Sequence, residues 1–355
     1  MVFGLRRLEV SIIALIAVAT AFAGTLAIGH GASTGSFVAS AIALAGLAWL
    51  VSFSTEQVGE RFGPEATGLL QSTLGNLPEF FVVLFALREG QVLVATTSLI
   101  GSIFANALLV LGIAIMVGAW KSKDGFMRFG ARLPTDTATL LLLAVFLIVV
   151  IGLATAQHET ASHHTRAISV IGSVMMLGVY AMWVRSYMRG AGPSEPGHAG
   201  GSARVPLVVS MVLLAVAGVG AAFVSEWFVA GLQPAIDALG ISQAFAGIVI
   251  VAIAGNAVEN ATAVVLAAKG QSDLAISVVK NSVSQIAVFL FPLLVLVSQA
   301  FDTPLTFGMD PIWIAALALT AVTVWQVTGD GVAAAWEGAA LIGFYVILGA
   351  AAFYA

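Results

Sequence analysis

The 355-residue chain contains no cysteine, and that absence excludes disulfide bonds, thiol catalysis and cysteine-ligated metal centres. Charge is nearly as scarce. Lys and Arg total 14 and Asp and Glu 18, so charged residues make up 9% of the chain, too few to solvate the surface of a soluble protein of this size. The basic residues are spread thinly rather than gathered into a patch, which removes nucleic acid as a partner. Histidines number 5, four residues of the stretch "QHETASHH" being His158, Glu159, His163 and His164; their spacing fits no definite metal motif, and the stretch reads as a solvated loop. Apolar residues fill the space left, at 60% hydrophobic with a mean hydropathy of +1.04.

A helix needs about 20 apolar residues to cross a hydrocarbon core of about 30 Å. Dividing the chain at its polar and Gly/Pro-rich breaks predicts an all-α polytopic membrane protein with eleven spans: 8–29, 37–60, 65–88, 92–119, 135–154, 167–188, 205–230, 242–268, 273–299, 311–328 and 332–354. The opening "MVFGLRRLEVSIIALIAVATAFAGTLA" has the basic start of a signal peptide, but its apolar part is longer than an h-region and reads as an uncleaved first helix. With the amino terminus in the cytoplasm, Arg6, Arg7, Arg61, Lys121, Lys123, Arg128, Arg132, Arg185, Arg189, Arg204 and Lys269 fall on that side. Only Arg88 and Arg166 fall outside, Lys280 lying within a span, so eleven against two fixes the expected orientation and puts the carboxyl terminus outside.

The stretch "RGAGPSEPGHAGGSAR", 189–204, is Gly-, Pro- and Ser-rich and divides the chain near its middle. The expected parts are an N-terminal helix in 1–36, a first repeat in 37–189, a flexible cytoplasmic linker in 190–204 and a second repeat in 205–355. Features recur in order in the two halves. "SFSTEQ", "GNLPE" and "GSIFAN" in the first are answered by "FVSEW", "GNAVE" and "NSVSQ" in the second. An offset of 180 residues superposes Gly75 on Gly255, Asn76 on Asn256, Glu79 on Glu259, Gly90 on Gly270, Gln91 on Gln271 and Ser102 on Ser282. Five spans per copy is an odd number, so the copies enter the membrane from opposite sides. Inverted repeats of this kind commonly build secondary transporters, with the site at the midplane where helices break.

A carboxylate at mid-bilayer is costly unless it has a partner and a task. Here each Glu is the other's partner. Asn76 and Glu79 stand three apart and are expected to share a helical face, with Gly75 and Pro78 loosening the helix and freeing carbonyls. Gly255, Asn256 and Glu259 repeat the pattern without proline. Together the two elements supply two carboxylates, two amide oxygens and freed carbonyls, an all-oxygen set suited to a hard cation such as Ca²⁺. Left empty, two carboxylates repel one another in a low dielectric and take up protons, so cation and protons become alternative occupants.

These residues resemble the cation/proton exchanger (Ca²⁺/H⁺ antiporter) family of the Ca²⁺/cation antiporter superfamily, whose paired repeats carry G-N-x-x-E elements. The resemblance runs from "STEQVGERFGPEATGLLQSTLGNLPEFFVVLFALREGQ" and "GSIFANALLVLG" through "SEWFVAGLQPAIDALGIS" and "GIVIVAIAGNAVENATAV" to "DGVAAAWEGAALIGFYVILGA". It implies that Glu79 and Glu259 are central cation ligands and the proton-coupling groups, with Asn76, Asn256 and carbonyls around Gly75 and Gly255 completing the shell. Sodium-driven relatives carry G-T-S-x-P-E elements instead, so Asn76 and Asn256 point to the proton-coupled branch. The chain departs from the family pattern where Asn260 stands in place of a frequent His. It departs again where Lys280 and Asn281 replace an apolar residue and Gly, and in a linker whose one carboxylate is Glu195.

Further polar residues divide between path and packing. Glu56 and Glu226 occupy matching spans and are candidates for a gate or proton shuttle, or else interfacial carboxylates. Ser102, Ser282 and Gln285 are candidates to line the path, although such side chains also join membrane helices. Trp120, Trp183, Trp227 and Trp325 read as interfacial anchors. The expected activity is a secondary antiporter exchanging Ca²⁺ or a similar cation for protons, with no enzymatic activity and no cofactor beyond the transported ions. Its setting is a lipid bilayer, in all expectation a prokaryotic cytoplasmic membrane. A passive channel and an intramembrane aspartyl protease using Asp330 of "TGDG" are the alternatives. The second lacks another aspartate in an adjoining span.

Overall fold

The computed structural model describes residues 4–59, 61, 74–157, 160–186 and 204–355. The expected linker over 190–203, the residues His158 and Glu159, and the first part of the expected span 65–88 lie outside the described residues. Long apolar runs leave no route across a bilayer except helices that satisfy their own backbone groups, and helices are what form. In chain order they are α1 (Arg7–His30), α2 (Thr34–Gly59), α3 (Leu77–Arg88), α4 (Val92–Lys121), α5 (Arg132–Ala156) and α6 (Thr165–Ser186). The second half supplies α7 (Leu207–Leu239), α8 (Gln243–Gly255), α9 (Ala257–Ala268), α10 (Ser272–Ala300), α11 (Pro311–Thr328) and α12 (Ala335–Phe353).

Among the described residues, nine helices are long and apolar enough to cross a membrane, and α8 with α9 makes one further, bent span. The 12-residue α3 is too short to cross alone. The internal repeat is visible in irregularities as well as in sequence. Helix α4 contains a π-helical turn over Ala105–Val110 and α10 one over Ile286–Leu290, their ends 180 residues apart. Such turns commonly mark functional sites, because they release a carbonyl from the regular ladder.

Small residues set the closest crossings. A Cβ added at Gly101 of α4 would sit 2.5 Å from the Ile248 Cα of α8, and one at Gly247 only 2.0 Å from the Thr97 hydroxyl. Gly112 and Gly338 bring α4 and α12 together in the same manner, each meeting the other's carbonyl oxygen. With no hydrophobic drive between helices inside lipid, this close backbone approach is the main source of cohesion.

Three expectations need correction. Helix α7 continues to Leu239 through Pro234 rather than stopping near 230, because a single proline in an apolar helix is tolerated where neighbours satisfy the freed carbonyl. The last span begins at Ala335. Val332–Ala334 before it forms a strand paired antiparallel with Phe126–Arg128, so a small two-stranded ribbon accompanies the helices. Trp227 is no simple interfacial anchor either, since its indole fills the space above Gly24 of α1, where a Cβ would come within 2.8 Å. In the loop before the first strand, the Ser122 hydroxyl and the Arg128 guanidinium hold the Asp124 carboxyl down to about 2.

Candidate cation site

The second Gly-Asn-x-x-Glu element breaks its helix. Asn256 ends α8 and caps α9 with φ −107° and ψ 13°, and the two segments meet at 64°. Asn76 precedes α3 in nearly the same conformation, φ −86° and ψ 12°. Asn and Glu stand three apart, each Asn as the residue before its helix and each Glu as the third residue within it. Pro78 has a different part from the one expected. At the second position of α3 its missing N–H costs nothing, and it starts the helix instead of disrupting one. The break at the second element, made without proline, rests on Gly255 and Asn256.

The consequence is electrostatic. Glu79 and Glu259 lie in the first turns of α3 and α9, where the free N–H groups and the helix dipole favour negative charge. The two carboxyl groups are near enough to feel one another's charge. Glu79 is buried, with 3% of its surface exposed, and Gly255 faces it closely: a Cβ there would lie 3.9 Å from the Glu79 Cβ. Glu259 is half-buried. Neither Glu79 oxygen closes a hydrogen bond, and Glu259 Oε2 is likewise without one. Buried carboxyl oxygens are seldom left this way unless a ligand or proton completes them.

Amide side chains stitch the two halves together around this pair. Asn256 Nδ2 donates to Ser102 Oγ at 2.9 Å and to the Ala252 carbonyl at 3.0 Å, while Asn76 Nδ2 donates to Gln285 Oε1 at 3.4 Å. Ser102 in turn lies beside Glu79 and Ser282 beside Glu259, a pairing that follows the 180-residue register. The structure thus gathers Asn76, Asn256, Glu79, Glu259, Ser102, Ser282 and Gln285, with Gly75 and Gly255 adjoining the asparagines. It does not gather Glu226, which is exposed on the flank of α7. That residue is also well inside the helix and not at a span end. Its neighbour Ser225 reaches the site instead, donating to the Pro78 carbonyl at 3.5 Å. Glu56 sits near the end of α2, partly buried.

Tyr345 was not a sequence candidate. Its hydroxyl donates to the carbonyl of Ile248, inside a third π-helical turn over Ala246–Val251, at 3.2 Å. No residue pattern marks it, because the partner is a carbonyl released by helix geometry. Asp330 accepts from the Val332 amide at 3.0 Å in the turn after α11. Among the described residues there is no group of three or more His, Asp or Glu arranged to hold a metal. A cation at the carboxyl pair has to complete its shell with amide, carbonyl or water oxygens.

Repeated halves that bring paired acidic groups together beside a broken helix are the arrangement of a secondary transporter. The chain belongs to the sodium/calcium exchanger protein family, whose model matches residues 32–186 and 209–354. It is 32% identical over 339 residues to a Ca(2+)/H(+) antiporter of Synechocystis, covering 90% of both chains. It is 30% identical over 327 residues to the Ca(2+)/H(+) antiporter ChaA of Bacillus subtilis, covering 90% of this chain and 92% of that one. The solved structure of native YfkE superposes with a TM-score of 0.81 at 26% identity over 97% of this chain and 100% of the other. The H+/Ca2+ exchanger CAX, at 16% identity, shares the fold, with a TM-score of 0.73 over 98% and 92%. The resemblance read from the two Glu motifs is borne out.

Proposed function

We propose that the chain exchanges Ca²⁺, or a similar cation, for protons across a membrane, with Glu79 and Glu259 binding either the cation or protons. The observation that carries this reading is the convergence of two half-helix N-termini, one from each half, each bearing a carboxyl group in its first turn. Two carboxylates balance one divalent charge. Asn76, Asn256 and backbone carbonyls near Gly75 and Gly255 are the neutral oxygens of the shell. Ser102, Ser282 and Gln285 orient these groups and line the path. The names of the similar antiporters agree with this substrate class and lend nothing to a channel or a protease.

Alternating access follows from an asymmetry between the halves. Helix α3 lies closely along α7 and barely meets the C-terminal part of α10, whereas α9 leans on the C-terminal part of α4 and barely meets α2. Under the repeat these are equivalent pairings with opposite outcomes, so one side of the carboxyl pair is closed and the other open. Exchanging the two outcomes exposes the site to the opposite face. With the amino terminus in the cytoplasm the open side, flanked by α9, is cytoplasmic, and the setting is a bacterial cytoplasmic membrane. The repeats occupy 37–189 and 205–355, with the linker between them and 1–36 outside both.

Proteoliposomes test the reading. An imposed pH gradient is expected to drive uphill Ca²⁺ accumulation, and Glu79→Gln is expected to abolish it. Calcium movement indifferent to the gradient, or surviving that substitution, would overturn it.

A further inference from the structure

The carboxyl pair and its amides leave one buried ionisable side chain without a task. Lys280 lies within α10 with 2% of its surface exposed, and its Nζ has no hydrogen-bond partner. The 180-residue register places it opposite Ile100, an ordinary buried apolar residue of α4. Asn281 Oδ1, Ser282 Oγ, Asn260 Oδ1 and Glu259 Oε2 are also buried and unpartnered, so five orphaned polar atoms accumulate on α9 and α10.

Lys280 is close to the site without touching it. Ser282, two residues on, lies beside Glu259, and Gln285, five on, receives the Asn76 amide. Helical geometry turns Lys280 about 200° from Ser282, so the amine does not point with Ser282 toward Glu259. The charged groups on the elements packed against this part of α10 are Glu259 and Lys269 on α9, Asp136 on α5, Lys121 on α4 and Arg128 of the ribbon, with Asp273 on α10 itself. None accepts a hydrogen bond from Lys280. An ammonium held in such a place has no fixed counter-ion, and its proton is governed by the net charge nearby, which acts at long reach in a low dielectric.

We propose that Lys280 is a third proton-exchanging group of the transport cycle, its amine losing a proton to solvent when the cation enters and regaining one when the cation leaves. Charge balances on both legs. With the cation bound, two carboxylates, one divalent ion and a neutral amine sum to zero. On the return leg, one carboxylate, one carboxylic acid and an ammonium also sum to zero, and two protons replace the ion. The lysine therefore carries one of the two protons and relieves the pair of holding both. This inference rests on the reading of Glu79 and Glu259 as the site.

The test is proton release on Ca²⁺ binding to the purified protein in weak buffer, followed with a pH indicator. Near neutral pH the wild type is expected to release about one more proton per Ca²⁺ than Lys280→Met, whose second proton is bound only at lower pH. Lys280→Met deletes an unpartnered polar group and is expected to stay folded and bind Ca²⁺. Lys280→Arg keeps a charge it cannot shed and is expected to weaken Ca²⁺ binding about tenfold or more. A purely structural lysine gives the reverse order, with arginine the milder change. Equal proton release from wild type and Lys280→Met, or wild-type affinity in Lys280→Arg, overturns the proposal. If Glu79→Gln leaves binding intact, the site reading itself fails, and this inference with it.

Discussion

At the residue scale, the carboxyl pair is a matter of unfinished valence. Glu79 and Glu259 carry oxygens buried without hydrogen bonds, and removing one member leaves the other without the partner that makes a divalent ion bind. Breaking a buried charge pair costs about 3–5 kcal/mol, so Glu79→Gln is expected to weaken Ca²⁺ binding about a hundredfold or more, read from a calcium-binding isotherm. Asn256→Ala removes the donor shared by Ser102 and the Ala252 carbonyl. Its cost is that of one or two neutral hydrogen bonds, about 1 kcal/mol each, and the isotherm is expected to shift about tenfold. The two glutamates and two asparagines were legible in the sequence because a repeated motif in an apolar setting has no cheap explanation. Ser225 and Tyr345 were not, since each bonds a carbonyl whose availability depends on a helix break or a π-helical turn.

At the crossing beside the site, glycine sets how closely the elements approach. At Gly101 and Gly247 the backbones of α4 and α8 approach until no Cβ fits, and this crossing carries Ser102 to within reach of Asn256. Gly101→Ala forces the helices apart against Ile248. Overpacking of this kind costs about 1–3 kcal/mol, so thermal unfolding in detergent is expected to begin at a lower temperature and cation binding to weaken with it. Hydropathy located the helices of α2, α4, α5, α6, α10 and α11 to within a few residues. It could not see the ribbon between 126–128 and 332–334, because three-residue strands leave no periodic trace and pair only in the folded chain. Nor did it see that Asn256 divides a span, because a broken span and an intact one have the same composition.

For the whole molecule, α3 packs on α7 far more closely than α9 packs on α2, so a symmetric pair of motifs sits in unequal surroundings. Gly218 of α7 faces Leu77 of α3, a Cβ there lying 3.6 Å from the leucine Cδ2. With no native cysteine, Leu77→Cys with Gly218→Cys can be bridged by a short bifunctional thiol reagent free of background. Bridging is expected to stop transport, since these helices have to separate for the opposite face to open, and a cross-linked protein that still transports would contradict alternating access by this route. The duplication was readable in the sequence from six identities in one register; the unequal packing of α3 and α9 was not, because both halves carry the same motif. The central claim is that one pocket holds either a cation or protons. Calcium affinity measured against pH, for wild type, Glu79→Gln and Glu259→Gln, tests it most directly. The wild type is expected to lose affinity steadily as pH falls, and each single substitution to abolish tight binding; wild-type affinity and pH dependence in Glu259→Gln would contradict it.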